Sequence, residues 1–235
     1  MIQRSIILCA GLLLFIGCSD TADQEYTETV NQYFNKWFLL HPVEATQAGM
    51  HEYDDRLNNY SPQGIANARE LYRNTLDELD GIRASRLSPQ NQIDFHILRE
   101  TMHEKLYSLD NLQPHFTDPT WYLQSLRRAL HLVADFSFGV DSVRALNYTA
   151  RLRRIPDFLD TARQNLTELS PIHTESGVSQ ARVLASLLRT DSLRSGFSGL
   201  PAAQIQSINA AESSAADALN GFADWLASGA VPANA

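Results

Sequence analysis

The sequence predicts an all-α protein, a multi-helix array of about eight helices without a sheet. Three observations carry this. Past the first two dozen residues, apolar side chains recur at three- and four-residue spacing along almost the whole chain. Helix-start pairs such as Ser-Pro and Asp-Pro punctuate it at intervals. No stretch alternates apolar and polar residues long enough to argue for a strand.

The chain opens with a segment of different character. Residues 1–4 carry one positive charge and residues 5–16 are almost wholly apolar. Such a run is too short to span a bilayer and matches a signal-peptide core. It ends in LFIGC, residues 14–18, which resembles a bacterial lipobox with Gly17 before the cleavage point. Residues 1–17 are therefore expected to be removed. Cys18 would then carry a diacylglyceryl thioether and an N-acyl chain, each buried methylene contributing about 0.8 kcal/mol to membrane anchoring. Phe15 departs from the usual lipobox leucine, and an ordinary secretory leader with a chance cysteine is the alternative. Ser19, where an Asp would favour inner-membrane retention, points toward the outer membrane. The expected location is the cell envelope, on the periplasmic side. Cys9 leaves with the leader, so neither a disulfide nor a cysteine-ligated metal is expected.

Residues 18–24 read as the lipidated end and a polar tether, residues 25–228 as the helical domain, and residues 229–235 as a tail. In the first helix Tyr26, Val30, Tyr33, Phe34, Trp37 and Phe38 form an aromatic stripe of core type. Pro42 redirects the chain into a short helical turn that stops at Gly49. The next two helices both start with Ser-Pro-Gln, at Ser61 and Ser88. Their inward faces run Ile65, Ala68, Tyr72, Leu76, Leu79 and Phe95, Leu98, Met102, Leu106, Leu109. Shared start chemistry explains the likeness better than an internal repeat. Asp118-Pro119 opens a helix with Tyr122, Leu126, Leu130 and Val133 inward. Asp141 is read as the cap of a helix burying Val143, Leu146 and Ala150. Pro156 is expected to break or kink the chain before Phe158, Ala162 and Leu166. Thr174-Glu175 begins a helix with Val178, Ala181, Ala185 and Leu188 inward. The last helix buries Ile205, Ile208, Ala215, Leu219, Phe222 and Leu226, weakened by about 1 kcal/mol at Gly221.

The formal charge of −8 argues against nucleic acid as a partner. Residues 20–80 carry twelve carboxylates against four basic side chains. A later run, Arg144, Arg151, Arg153 and Arg154, reads as a solvated face.

Two stretches, HEYDDRL from His51 and HEKLY from His103, begin like the zinc-protease motif His-Glu-x-x-His. A helical zinc site needs a second imidazole four residues on. Asp55 and Tyr107 stand there instead, so neither is the motif. His96, Glu100 and His103 fall within about 20° of one helix face and are weak metal candidates; a solvated polar face is the simpler reading. His51, Tyr53, Asp54 and Arg56 would either line a cleft or fix a tight turn by hydrogen bonds. Nucleophile elbows and phosphate loops are not found, and no catalytic residue is assigned.

The order of segments carries a family resemblance. YFNKWFLLHPVEATQAGMHEYDDRL, YSPQGIA, LSPQNQIDFHILR, RLRRIPDFLDTARQNL and PIHTE resemble, in that order, the N-terminal part of the bacterial DUF885 family. The resemblance covers residues 33–225. It implies a largely helical envelope or cytoplasmic protein of more than twice this mature length, similar to zinc metallopeptidases. The family's His-Glu-x-x-His helix lies in a C-terminal half that this sequence, ending WLASGAVPANA, is expected to lack. Zinc would be the cofactor only of full-length relatives, and a peptide the substrate only of a completed protein. Expected partners are the membrane, through lipid on Cys18, and a missing or separately encoded C-terminal half. The leading expectation is a lipid-anchored lobe inactive alone. The rivals are a self-sufficient envelope scaffold lipoprotein and a small metal-dependent hydrolase using His96, Glu100 and His103.

Overall fold

The computed structural model describes residues 21–190, 194 and 196–229. Cys18 and residues 230–235 lie outside them. Among the described residues the order is α1 (Thr21–Leu40), α2 (Pro42–Gln47), α3 (Pro62–Gly81), α4 (Pro89–Tyr107), the single-turn α5 (Pro114–Thr117), α6 (Pro119–Asp135), α7 (Asp141–Asn165), α8 (Pro171–Arg189) and α9 (Ala202–Ala227), with no strand. None of these helices is long and apolar enough to cross a membrane.

The helices form two packed groups. α1, α3 and α4 close on each other around Tyr33, Ile65, Tyr72 and Met102, with Tyr26, Leu79 and Phe95 further along the same helices. α6 to α9 enclose the larger core, in which Tyr122, Leu126, Tyr148, Leu152, Leu219 and Phe222 are fully buried. α2 bridges the groups, packing on α1 and α6. Burial of these aliphatic and aromatic faces, at about 25 cal/mol per Å² of apolar surface, holds the array together.

Helix starts follow side-chain chemistry. Ser61 accepts from Gly64 N, Ser88 from Asn91 N and Asp118 from Thr120 N, each followed by Pro. Ser170 does the same for α8, accepting from His173 N before Pro171. That helix therefore begins a turn earlier than Thr174, where periodicity put it. Thr21–Gln24, read as tether, are the first turn of α1. Asp23 ties this turn down by accepting from Ser88 N and Asn91 Nδ2 at 3.0 and 2.8 Å.

α7 departs most from expectation. Pro156 lies inside one 25-residue helix instead of ending it. The buried line of Leu152, Ile155, Leu159 and Ala162 crosses the proline on one face, and this packing outweighs the ~3 kcal/mol interior penalty. Asp141 is the first helical residue and makes no cap; its carboxylate accepts from Arg144 Nη2 and from Ser198 instead. The helix is also rotated from its predicted facing. Val143 and Leu146 are 54% and 60% exposed, whereas Arg144 and Arg151 are buried. Arg153 and Arg154 remain on the surface, so the arginine run is split between core and solvent.

Two further expectations shift in degree. Phe34 and Ile205 point to solvent, while Tyr26 and Tyr33 of α1 and the rest of the α9 face are buried. A π-helical turn at Ser108–Leu112 follows α4 and ends at Gln113, whose φ of 48° sits in the left-handed region.

Candidate functional site

Between the two helix groups lies a cleft of about 370 Å³. Its walls come from six separated elements. The end of α1 and the residue just after it give Trp37 and His41, α2 gives Glu44, the loop before α3 gives Tyr60, α3 gives Tyr72, α4 gives Lys105, and α6 gives Trp121 and Arg128. A more open continuation of about 710 Å³ along α6 shares Glu44, Tyr60, Trp121 and Arg128, and adds Ser125 and Arg127.

The floor is aromatic and hydrogen-bonded. His41 Nε2 and the Tyr72 hydroxyl share a bond of 2.9 Å. Burial, reinforced by the charge of Lys105, lowers the His41 pKa to about 4, so its imidazole is neutral at pH 7. Burial likewise raises the Tyr72 hydroxyl, keeping it protonated. Tyr60 packs on Trp121 with ring centroids 4.0 Å apart. Its hydroxyl accepts from Asn58 Nδ2 at 3.0 Å and faces Ser125 Oγ at 3.3 Å. Burial and then the Glu44 carboxylate push that hydroxyl up to about 12.

The charged groups sit at the rim. Glu44 accepts from Asn58 Nδ2 at 2.8 Å and meets Arg128 Nη1 at 3.8 Å, an ion-pair distance without a hydrogen bond. Among the described residues Lys105 and Arg127 have no ion-pair partner within 4 Å. Cations thus outnumber the single carboxylate of the cleft, in a chain of net charge −8.

The residues singled out from sequence lie elsewhere. His96, Glu100 and His103 are exposed on the outer side of α4. Among the described residues no group of three or more His, Cys, Asp or Glu is placed to hold a metal ion. The described residues therefore do not fit a zinc centre. His51 starts a single 3₁₀ turn, His51–Tyr53. Its Nδ1 meets Asp54 Oδ2 at 3.1 Å and its ring stacks on Phe138 at 3.9 Å. Asp54 is buried and accepts from Thr46 Oγ1, while Arg56 lies over the Tyr53 ring. This cluster folds the turn onto α2 and the α6–α7 loop. It does not enter the seam cleft.

The cleft residues themselves escaped sequence reasoning. His41 and Glu44 stand inside the longest family-like segment, which was the available signal; Lys105, Trp121 and Arg128 follow helical patterns that give no sign of a shared cavity. A wide trough of about 1280 Å³ lies between the start of α8 and the end of α9, with Glu168, Glu175 and Arg182 as its charged groups.

Fold and cleft together define a two-group helical array with a polar-rimmed aromatic seam. Residues 42–235 match the family described as "Bacterial protein of unknown function (DUF885)", and the chain belongs to that family. A solved structure from Shewanella oneidensis, described as a "putative lipoprotein of unknown function", shares the fold with a TM-score of 0.70 at 19% identity. The match covers 87% of this chain and 37% of that protein, so this chain spans well under half of its length. No curated protein matches the sequence.

Proposed function

We propose that this chain is the N-terminal helical lobe of a lipid-anchored envelope protein of the DUF885 family. In this reading Cys18 carries the lipid. Any metallopeptidase chemistry belongs to residues outside this sequence, and the lobe contributes a scaffold and a ligand-facing seam. The observation that carries the reading is the family match over residues 42–235 combined with coverage of 37% of a similar, larger lipoprotein-like structure. Exposed apolar side chains at the start of α7, Val140 just before it and Val143 and Leu146 on it, supply surface on which further chain would pack.

Two measurements test it. Cells expressing the full sequence are fed labelled palmitate; the wild type should take up label and partition into detergent, and Cys18→Ser should do neither. An unlabelled wild type would remove the anchor. Separately, the purified mature chain is incubated with peptides and zinc. Chelator-sensitive cleavage by this chain alone would overturn the assignment of chemistry to residues outside it.

A further inference from the structure

The geometry points to the seam cleft as a binding site for a carboxylate-bearing molecule with a planar or apolar body, its anionic end held at Arg128 and Lys105 and its body against Trp121. The rim offers two cations from different helix groups. Arg128 belongs to both compartments of the cleft, and its guanidinium meets Glu44 only at 3.8 Å, so its hydrogen-bonding fork is not taken up by that carboxylate. A guanidinium presents parallel donors that match a carboxylate in bidentate fashion. Lys105 approaches from α4, on the other helix group, with no ion pair of its own among the described residues. Its field already reaches the floor, since it contributes to lowering the His41 pKa.

The walls select the rest of the ligand. The Trp121 ring, held against Tyr60 at 4.0 Å, provides a flat apolar platform. Tyr72 and His41 are both neutral at pH 7 and bonded to each other, so the floor adds no charge. Glu44 sets the sign and size of the acceptable charge. A dianion such as phosphate would lie beside that carboxylate, whereas one carboxylate displaces it from Arg128 with less repulsion. A volume of about 370 Å³ suits a small organic acid or the last one or two residues of a peptide with a free C-terminus. These share one chemistry and are distinguished by experiment. The inference uses the seam alone and does not depend on lipid at Cys18 or on peptidase chemistry.

The test is calorimetric titration of the mature chain, with Cys18→Ser to keep it free of lipid. Four probes are used: indole-3-acetate, indole-3-acetamide, and acetyl-Ala-Phe as free acid and as amide. The expected result is that at least one acid binds and its amide binds at least tenfold more weakly. Binding of the indole acid alone identifies a small acid as the source, and binding of the dipeptide acid alone identifies a chain terminus. Arg128→Gln and Lys105→Gln, both at the rim, should each weaken the acid by about three- to tenfold while leaving Tm unchanged. Glu44→Gln, which removes the competitor for Arg128, should tighten it several-fold. Equal affinity for acid and amide, no binding of any probe up to about 10 mM, or an unchanged affinity in Arg128→Gln would overturn the proposal. Failure of the palmitate or peptidase experiments would leave it standing.

Discussion

Arg151 Nη2 donates to Thr46 Oγ1 at 2.6 Å, joining α7 to α2 across 105 positions of sequence. The Thr46 hydroxyl in turn donates to Asp54 Oδ1 at 2.6 Å, and Arg151 Nη1 donates to Ala129 O at 2.5 Å. A fully buried cation is thereby linked through one hydroxyl to a buried carboxylate. Burial lowers the Arg151 pKa to about 10, opposed by Asp54, Asp55 and Glu44, and the group stays charged at pH 7. Arg151 Nε is buried without a partner, so the site tolerates no further loss of compensation.

The first prediction concerns this linkage. Arg151→Met should destabilise the protein by about 3–5 kcal/mol, because Ala129 O and Thr46 Oγ1 lose their buried charged donor and Asp54 loses the cation that Thr46 links to it. Asp54→Asn should cost about 1–3 kcal/mol. If the two act as a unit, the double variant falls short of the sum by at least about 1 kcal/mol. Urea unfolding of the four proteins measures this, and strict additivity would show that Thr46 transmits nothing.

The same helix shows where sequence reading stops. Helix content, the starts at Ser61, Ser88 and Asp118 and the faces of α3, α4, α6 and α8 are legible from capping chemistry and spacing, because in those helices the buried residues are mostly the apolar ones. On α7 the assumption fails twice. Arg144 and Arg151 are seven apart, two helical turns, and each turns inward to satisfy backbone carbonyls. A reading that places charge outward then rotates the helix and buries Val143 and Leu146 on paper. The seam cleft was hidden for a related reason: its groups come from elements spread over residues 37–128, and no local period links them.

Arg144 supplies the second prediction. Its Nη1 donates to Val133 O, Ala134 O and Phe136 O at 3.0, 3.1 and 2.8 Å, and its Nη2 to Asp141 Oδ1 and Gly196 O. It thus satisfies the orphan carbonyls at the end of α6, a task that requires a planar fork. Arg144→Lys should therefore cost about 2 kcal/mol despite retaining the charge, whereas Arg153→Lys on the exposed face should change stability by less than about 0.5 kcal/mol. Thermal unfolding distinguishes the two, and equal small effects would remove the capping role.

Acid should destabilise the fold through two buried histidines. His41 and His115 are both held neutral, with pKa values lowered from 6.5 to about 4, each chiefly by burial. A group whose folded pKa is depressed contributes its full stabilisation above its unfolded value, here about 6.5, and loses it as pH falls through 4. For His41 the loss is on the order of 3 kcal/mol, or about 6–12 °C in Tm. Tm should decline between pH 6.5 and 4 in the wild type and decline less steeply in His41→Gln, whatever that variant's absolute stability. An unchanged slope would mean that His41 already binds a proton in the fold.

Two glycines in helix interiors should respond oppositely to one substitution. Gly→Ala in a helix ordinarily stabilises by about 0.5–1 kcal/mol through propensity and lost freedom of the unfolded chain. At Gly221 in α9 an added methyl would meet nothing nearer than Arg163 Nη2 at 3.8 Å, so the ordinary gain is expected. At Gly177 in α8 the same methyl would lie 2.5 Å from Pro119 Cγ and 3.0 Å from Leu226 Cδ1. Pro119 is the rigid first residue of α6 and cannot swing aside, so α8 must shift away from α6 and α9. Overpacking of this kind costs about 1–3 kcal/mol and should outweigh the propensity gain. Gly177→Ala is therefore expected to lower Tm and Gly221→Ala to raise it. A rise in both would show that α8 does not approach α6 as closely as the packing at Gly177 requires.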